Sequence, residues 1–127
     1  MYATEVEKID ACFGDFVRQL KDLNIFDKSI VILTADHGDS LGENGRYGHA
    51  YTIFPEIMRI PLLISLPSTM EKEVKTTTDY LVFSTDIAPS LEFLLGRTPT
   101  ATHWSEGQSF FLNRAMSLLR AWRRNIL

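Results

Sequence analysis

An α/β architecture is expected for this chain on three observations. Apolar residues recur at spacings of three and four over residues 3–23, the period of an amphipathic helix. Two short apolar runs, at residues 30–33 and 62–66, have the length of buried strands rather than of helices. A second helical pattern then follows at 84–95. Helices and strands that alternate along one chain favour layers of helix on sheet.

The first helix places Val6, Ile9, Phe13, Phe16, Val17, Leu20 and Leu23 on one face, with Glu5, Glu7, Lys8, Asp15, Arg18, Lys21 and Asp22 mostly opposite. Asn24 is its expected stop. Asp27 and Lys28 turn the chain into a strand over 29–35. Residues 36–50 carry Gly38, Gly42, Gly45 and Gly48 and read as an open loop. One helical turn is expected at 55–58, with Pro55 early, where its missing N–H costs little. The second strand covers 61–66, a polar connector 68–78, and a short third strand 76–82. Ser84 or Thr85 is the expected cap of the next helix, which turns Ile87, Leu91, Leu94 and Leu95 inward and stops at Gly96. Residues 97–108 read as loop. From 110 onward Leu112, Met116, Leu119 and Trp122 alternate with Arg114, Arg120, Arg123 and Arg124, a basic amphipathic pattern. Residues 113–127 are therefore expected to form a helical tail. It packs on the domain or is left unpacked by truncation; contact with an anionic membrane surface is the lesser reading.

The 127 residues fit one domain, and 45% apolar content suffices for a core. A net charge of −3 argues against nucleic acid as a partner. No apolar run approaches the ~18 residues of a membrane span. The first residues lack the basic and apolar regions of a signal peptide. The single Cys12 excludes an internal disulfide, and its helical setting suits a structural thiol.

Chemistry concentrates where the first strand ends, at Thr34-Ala35-Asp36-His37-Gly38. Neighbouring side chains on a strand point to opposite faces, so Asp36 and His37 converge on one ion only if the strand breaks there. Gly38 is expected to supply that break. A carboxylate oxygen with an imidazole nitrogen suits Zn²⁺ or Mn²⁺ and, through the oxygen, Ca²⁺. On residue types alone, a capping Asp beside a surface His is an equally good reading. His49 returns across the Gly-rich loop towards the same place. Asp39 and Glu43 are expected to stabilise the loop, and Arg59 to pair with a carboxylate. Lys72 and His103 read as surface residues.

These motifs, followed by Arg59-Ile60-Pro61 and Asp86-Ile87-Ala88-Pro89-Ser90-Leu91, resemble the C-terminal metal-binding segment of the sulfatase branch of the alkaline phosphatase superfamily. The likeness covers roughly residues 2 to 112. It implies a fragment of a three-layer α/β/α fold, with residues 1–112 as the C-terminal portion of a catalytic domain whose N-terminal half lies elsewhere. By the same resemblance Asp36 and His37 are metal ligands and His49 is a catalytic residue at the ester's leaving group. The metal is Ca²⁺ in a sulfatase, or Zn²⁺ or Mn²⁺ in a phosphoethanolamine or phosphoglycerol transferase. His at position 49 is the transferases' habit, whereas the segment from Pro55 to Pro61 resembles hydrolytic sulfatases. Both subgroups stay open, as does a truncated, non-catalytic remnant. The implied substrate is a sulfate or phosphate ester, and the implied setting is extracytoplasmic. Cys12 lacks the Pro and Arg that surround a formylglycine-forming cysteine, so the nucleophile is not in this chain.

Overall fold

Helix α1 runs over Tyr2–Asp22, close to the span that its periodicity predicts. It ends at Asn24, whose φ of 56° is left-handed. Asn24 N–H donates to the Lys21 carbonyl (2.9 Å) and Ile25 N–H to that of Leu20 (3.0 Å). That pair of bonds satisfies carbonyls the helix would otherwise leave open. The apolar face of α1 is largely uncovered: Ile9 is 60% exposed and Leu23 67%, and none of the helix's residues is buried.

The computed structural model describes residues 2–50, 52–71, 74, 81–97, 107 and 109–111. They fall in two compact units, Met1–Pro67 and Ser68–Leu127. In the first unit, a 3₁₀ turn at Phe26–Lys28 leads from α1 into strand β1, Val31–Thr34. A small ribbon follows, made of β2 (Ser40–Leu41) and β3 (Tyr47–Gly48) around a 3₁₀ turn at Glu43–Gly45. Next come the helical turn α2, Pro55–Met58, with Pro in its first turn as expected, and strand β4, Leu62–Ser65. β1 and β4 pair antiparallel in the register Val31↔Ser65 to Thr34↔Leu62. Residues 35–61, which carry the β2–β3 ribbon and α2, connect the two strands.

In the second unit, part of the expected connector is a helical turn, α3, at Ser68–Glu71. A 3₁₀ turn at Ser84–Asp86 then leads into α4, Ile87–Leu94. The expected caps Ser84 and Thr85 lie within that turn. It is Asp86 that closes the start, its Oδ2 accepting Phe83 N–H at 2.9 Å. Gly96 ends α4 as expected, at φ 69°, with Arg97 N–H donating to the Glu92 carbonyl (2.8 Å). Ile87, Leu91 and Leu94 are half-buried, but Leu95 is 59% exposed because it already lies past the last helical turn. The third strand expected over 76–82 falls mostly outside the described residues, and Leu81 and Val82 lie in no strand. The 113–127 tail, Lys72 and His103 lie outside them altogether. Helices and small sheets in alternation make this a mixed α/β structure, the predicted class.

Candidate active site

β1 ends at Thr34, and Asp36 and His37 follow in irregular backbone. The chain leaves strand geometry before the two side chains would diverge. Asp36 Oδ1 accepts His37 N–H at 2.9 Å, and His37 Nε2 lies 3.8 Å from Asp36 Oδ2. The backbone hydrogen bond from His37, with the imidazole's charge as a smaller contribution, holds the Asp36 carboxyl below its usual range. It is therefore ionised at neutral pH. His37 Nδ1 lies 2.9 Å from the Gly38 carbonyl oxygen. A carbonyl only accepts, so Nδ1 carries a proton, and Nε2 is the ring nitrogen on the side near Asp36.

Gly38 does not act through a left-handed φ, which it lacks. Its N–H donates to the Ile57 carbonyl at 2.7 Å, and a Cβ there would run into the Glu56 carbonyl oxygen. Close approach of the α2 backbone, rather than a special torsion, is what requires glycine at this position.

The β2–β3 ribbon, in the register Ser40↔Gly48 and Leu41↔Tyr47, folds the Gly-rich loop back on itself. His49 comes directly after it and sits against His37, with ring centroids 4.2 Å apart and planes inclined by 38°. His49 Nδ1 lies 2.9 Å from Asp39 Oδ1. A carboxylate can only accept here, so the proton is again on Nδ1 and Nε2 is left for other work. Asp36, His37 and His49, the three site residues that the sequence singles out, are thus adjacent. Asp39 is more than a loop stabiliser, since it is the carboxylate behind His49. Glu43 keeps the simpler expected role, its Oε2 accepting Leu41 N–H at 2.6 Å. Among the described residues, no three or more His, Cys, Asp or Glu side chains converge to hold a metal ion.

A second cluster adjoins the first and was not foreseen. Glu56 Oε1 accepts from Ser40 Oγ (3.0 Å), Arg46 Nε (3.2 Å) and Arg46 Nη2 (2.7 Å). Ser40 is 2% exposed. The Arg46 guanidinium lies over the Phe54 ring at 3.7 Å, within cation–π range. Its hydrogen bonds hold the Glu56 carboxyl below the usual carboxylate range. The expected carboxylate partner of Arg59 is not found among the described residues. Arg59 caps α2 in extended backbone, is exposed, and makes no ion pair among the described residues. The available signal for the true pair was a lone Glu in an otherwise apolar turn, within reach of the only Arg of the Gly-rich loop. A pocket of about 240 Å³ opens beside this cluster, and its walls include Arg46, Tyr47, His49, Thr52 and Phe54.

A sequence model of the sulfatase family matches residues 1–96. Among curated proteins, an endo-4-O-sulfatase of Bacteroides thetaiotaomicron is 27% identical over 86% of this chain and 21% of its own length. The low-salt glycan biosynthesis sulfotransferase Agl7 of Haloferax volcanii is 27% identical over 76% of the chain and 24% of its own length. The multifunctional alkaline phosphatase superfamily protein PehA of Trinickia caryophylli is 29% identical over 98% of the chain and 24% of its own length. The chain thus spans about a quarter or less of these relatives. With that match over most of its length, and with the Asp-His-Gly strand end and the fold agreeing, the chain belongs to the sulfatase family of the alkaline phosphatase superfamily.

Proposed function

We propose that this chain contributes two metal ligands, Asp36 and His37, and a leaving-group proton donor, His49, to a metal-dependent sulfuric ester hydrolase. The observation that carries this reading is the convergence of the Asp36 carboxylate and the His37 Nε2 at 3.8 Å, with the His49 ring stacked alongside. Bonds of about 2.0–2.6 Å to one ion bring two donors to roughly 3–3.7 Å of each other. A small side-chain adjustment meets that spacing. The donor chemistry also fits, since the carboxylate is ionised and the imidazole spends Nδ1 on the Gly38 carbonyl, which frees Nε2.

When bound, a divalent ion would polarise the ester oxygens and lower the pKa of a nucleophilic hydroxyl. Asp36 and His37 would hold that ion at the end of β1. His49 supplies a proton from Nε2 to the departing alkoxide, while Asp39 fixes the ring through Nδ1. The nucleophile and remaining ligands are assigned to polypeptide outside these 127 residues. Ca²⁺ is the ion of the hydrolytic reading, with a sulfate ester as substrate in an extracytoplasmic setting. No helix among the described residues is long and apolar enough to cross a membrane. A transferase using Zn²⁺ or Mn²⁺ is the second reading, favoured by the similarity to a sulfotransferase and by His at position 49. In that case a second alcohol replaces water and the same three side chains serve.

Two ligands alone hold an ion weakly, because zinc sites use four and calcium sites six to eight. The expected result is therefore millimolar binding. Paramagnetic broadening of amide signals by Mn²⁺ measures it: residues 36–38 and 49 should broaden first, and Asp36→Ala or His37→Ala should abolish the effect. Uniform broadening, or broadening indifferent to both substitutions, rejects the ligand assignment.

A further inference from the structure

Asp39 is the residue that faces His49, and α2 holds the chain on both sides of it. One position earlier, Gly38 N–H donates to the Ile57 carbonyl at 2.7 Å. One position later, Ser40 Oγ donates to Glu56 Oε1 at 3.0 Å. Two consecutive residues of one helical turn thus fix the neighbours of Asp39. The ribbon supplies the alignment. Its outermost register pair is Ser40↔Gly48, so the next positions along are Asp39 and His49, whose Oδ1 and Nδ1 lie 2.9 Å apart. Two register pairs make a short ladder, and an isolated hairpin is marginal in water. Something besides the ladder must set its register. Glu56 reaches both arms, because Arg46, the residue before β3, donates to the same Oε1 through Nε and Nη2. A slip of one residue would turn Ser40, now 2% exposed, to the opposite face and carry Asp39 away from His49.

Glu56 is the shielded end of this series of contacts: its side chain is 17% exposed, against 54% for His49. An exposed ion pair gains little by itself, since two side chains must be ordered to form it. Here the ordering of Asp39 is already supplied from α2. We propose that Glu56 is a positioning residue for His49. Through Ser40 and Arg46 it holds the ribbon register that keeps Asp39 on Nδ1 of the imidazole and leaves Nε2 free. The inference rests on the reading of His49 as the leaving-group donor, which gives the fixed ring its use.

The ring nitrogens of His49 report on this without metal, ester or turnover. Which of them carries the proton is set by the hydrogen bond made there, so a proton on Nδ1 is the mark of Asp39. Nitrogen NMR spectra of the 127-residue chain at about pH 9, where an ordinary imidazole is neutral, give the ratio of the Nδ1–H to the Nε2–H form. Glu56→Ala should lower that ratio at His49 about 2- to 5-fold, the range an exposed charged pair supports. Ser40→Ala leaves Arg46 bound, should lower the ratio in the same direction, and carries the test if Glu56→Ala does not fold. Glu56→Gln keeps an accepting oxygen and should restore most of the parent ratio. Ser90→Ala acts in the other unit and should leave it unchanged. The proposal is overturned if Glu56→Ala and Ser40→Ala, as far as they fold, keep the parent ratio, or if Ser90→Ala lowers it as much. Mn²⁺ broadening at 36–38 and 49 reads the site assignment separately, so either idea can fail while the other stands.

Discussion

Glu56 gathers the loop around one oxygen. Its Oε1 takes Ser40 Oγ and two nitrogens of Arg46, and Arg46 in turn lies flat on Phe54. The carboxyl's folded pKa lies below the ordinary 4.5, chiefly because Arg46 donates to its charged form. The linked stabilisation is therefore fully present above the unfolded value and disappears as pH falls through the folded one. Glu56→Gln should lower the melting temperature at neutral pH, and the gap from the parent should close in acid. Equal gaps at all pH values would mean that the charge contributes nothing. The site was unevenly legible at this scale. Asp36, His37 and His49 are visible in the sequence because residue type and spacing carry their chemistry. Asp39 behind His49, and Arg46 in place of Arg59, are not visible, because their pairing depends on how the β2–β3 ribbon folds back.

At the scale of elements, α4 shows how one small side chain joins separate segments. Ser90 is 1% exposed. Its Oγ donates to the Asp86 carbonyl (2.6 Å) and accepts Phe110 N–H (3.0 Å), which seats the 109–111 stretch and its buried Phe111. Ser90→Ala leaves that N–H without its partner and should cost about 1–3 kcal/mol, measured by urea unfolding. A change of only a few tenths would show that water replaces the hydroxyl. The stops of α1 and α4 were readable because Asn24 and Gly96 tolerate left-handed backbone. The start of α4 was not. Ser84 and Thr85 have cap chemistry, but the chain spends them on a 3₁₀ turn and lets Asp86 close the end.

For the whole molecule, the most telling surface is the α1 stripe. Tyr2, Val6, Ile9, Phe13, Phe16, Leu20 and Leu23 follow one another at alternating steps of four and three, yet most of them are exposed. Periodicity reveals that a face is apolar but not what covers it, and so the sequence could give the helix without its partner. Exposed apolar surface of this extent favours association. Ile9→Lys should reduce self-association in light scattering while changing unfolding stability by no more than about 0.5 kcal/mol. A clear loss of stability would show that the stripe is covered within this chain.

The tie between Gly38 and the α2 backbone sets an unequal freedom to change. Its acceptor is the Ile57 carbonyl, a group that every amino acid possesses, so position 57 can drift through many side chains without cutting the tie. Position 38 has no such latitude, because any Cβ meets the Glu56 carbonyl. One end of this crossing can wander in sequence; the other is pinned to a single residue, and the Asp-His pair is pinned with it.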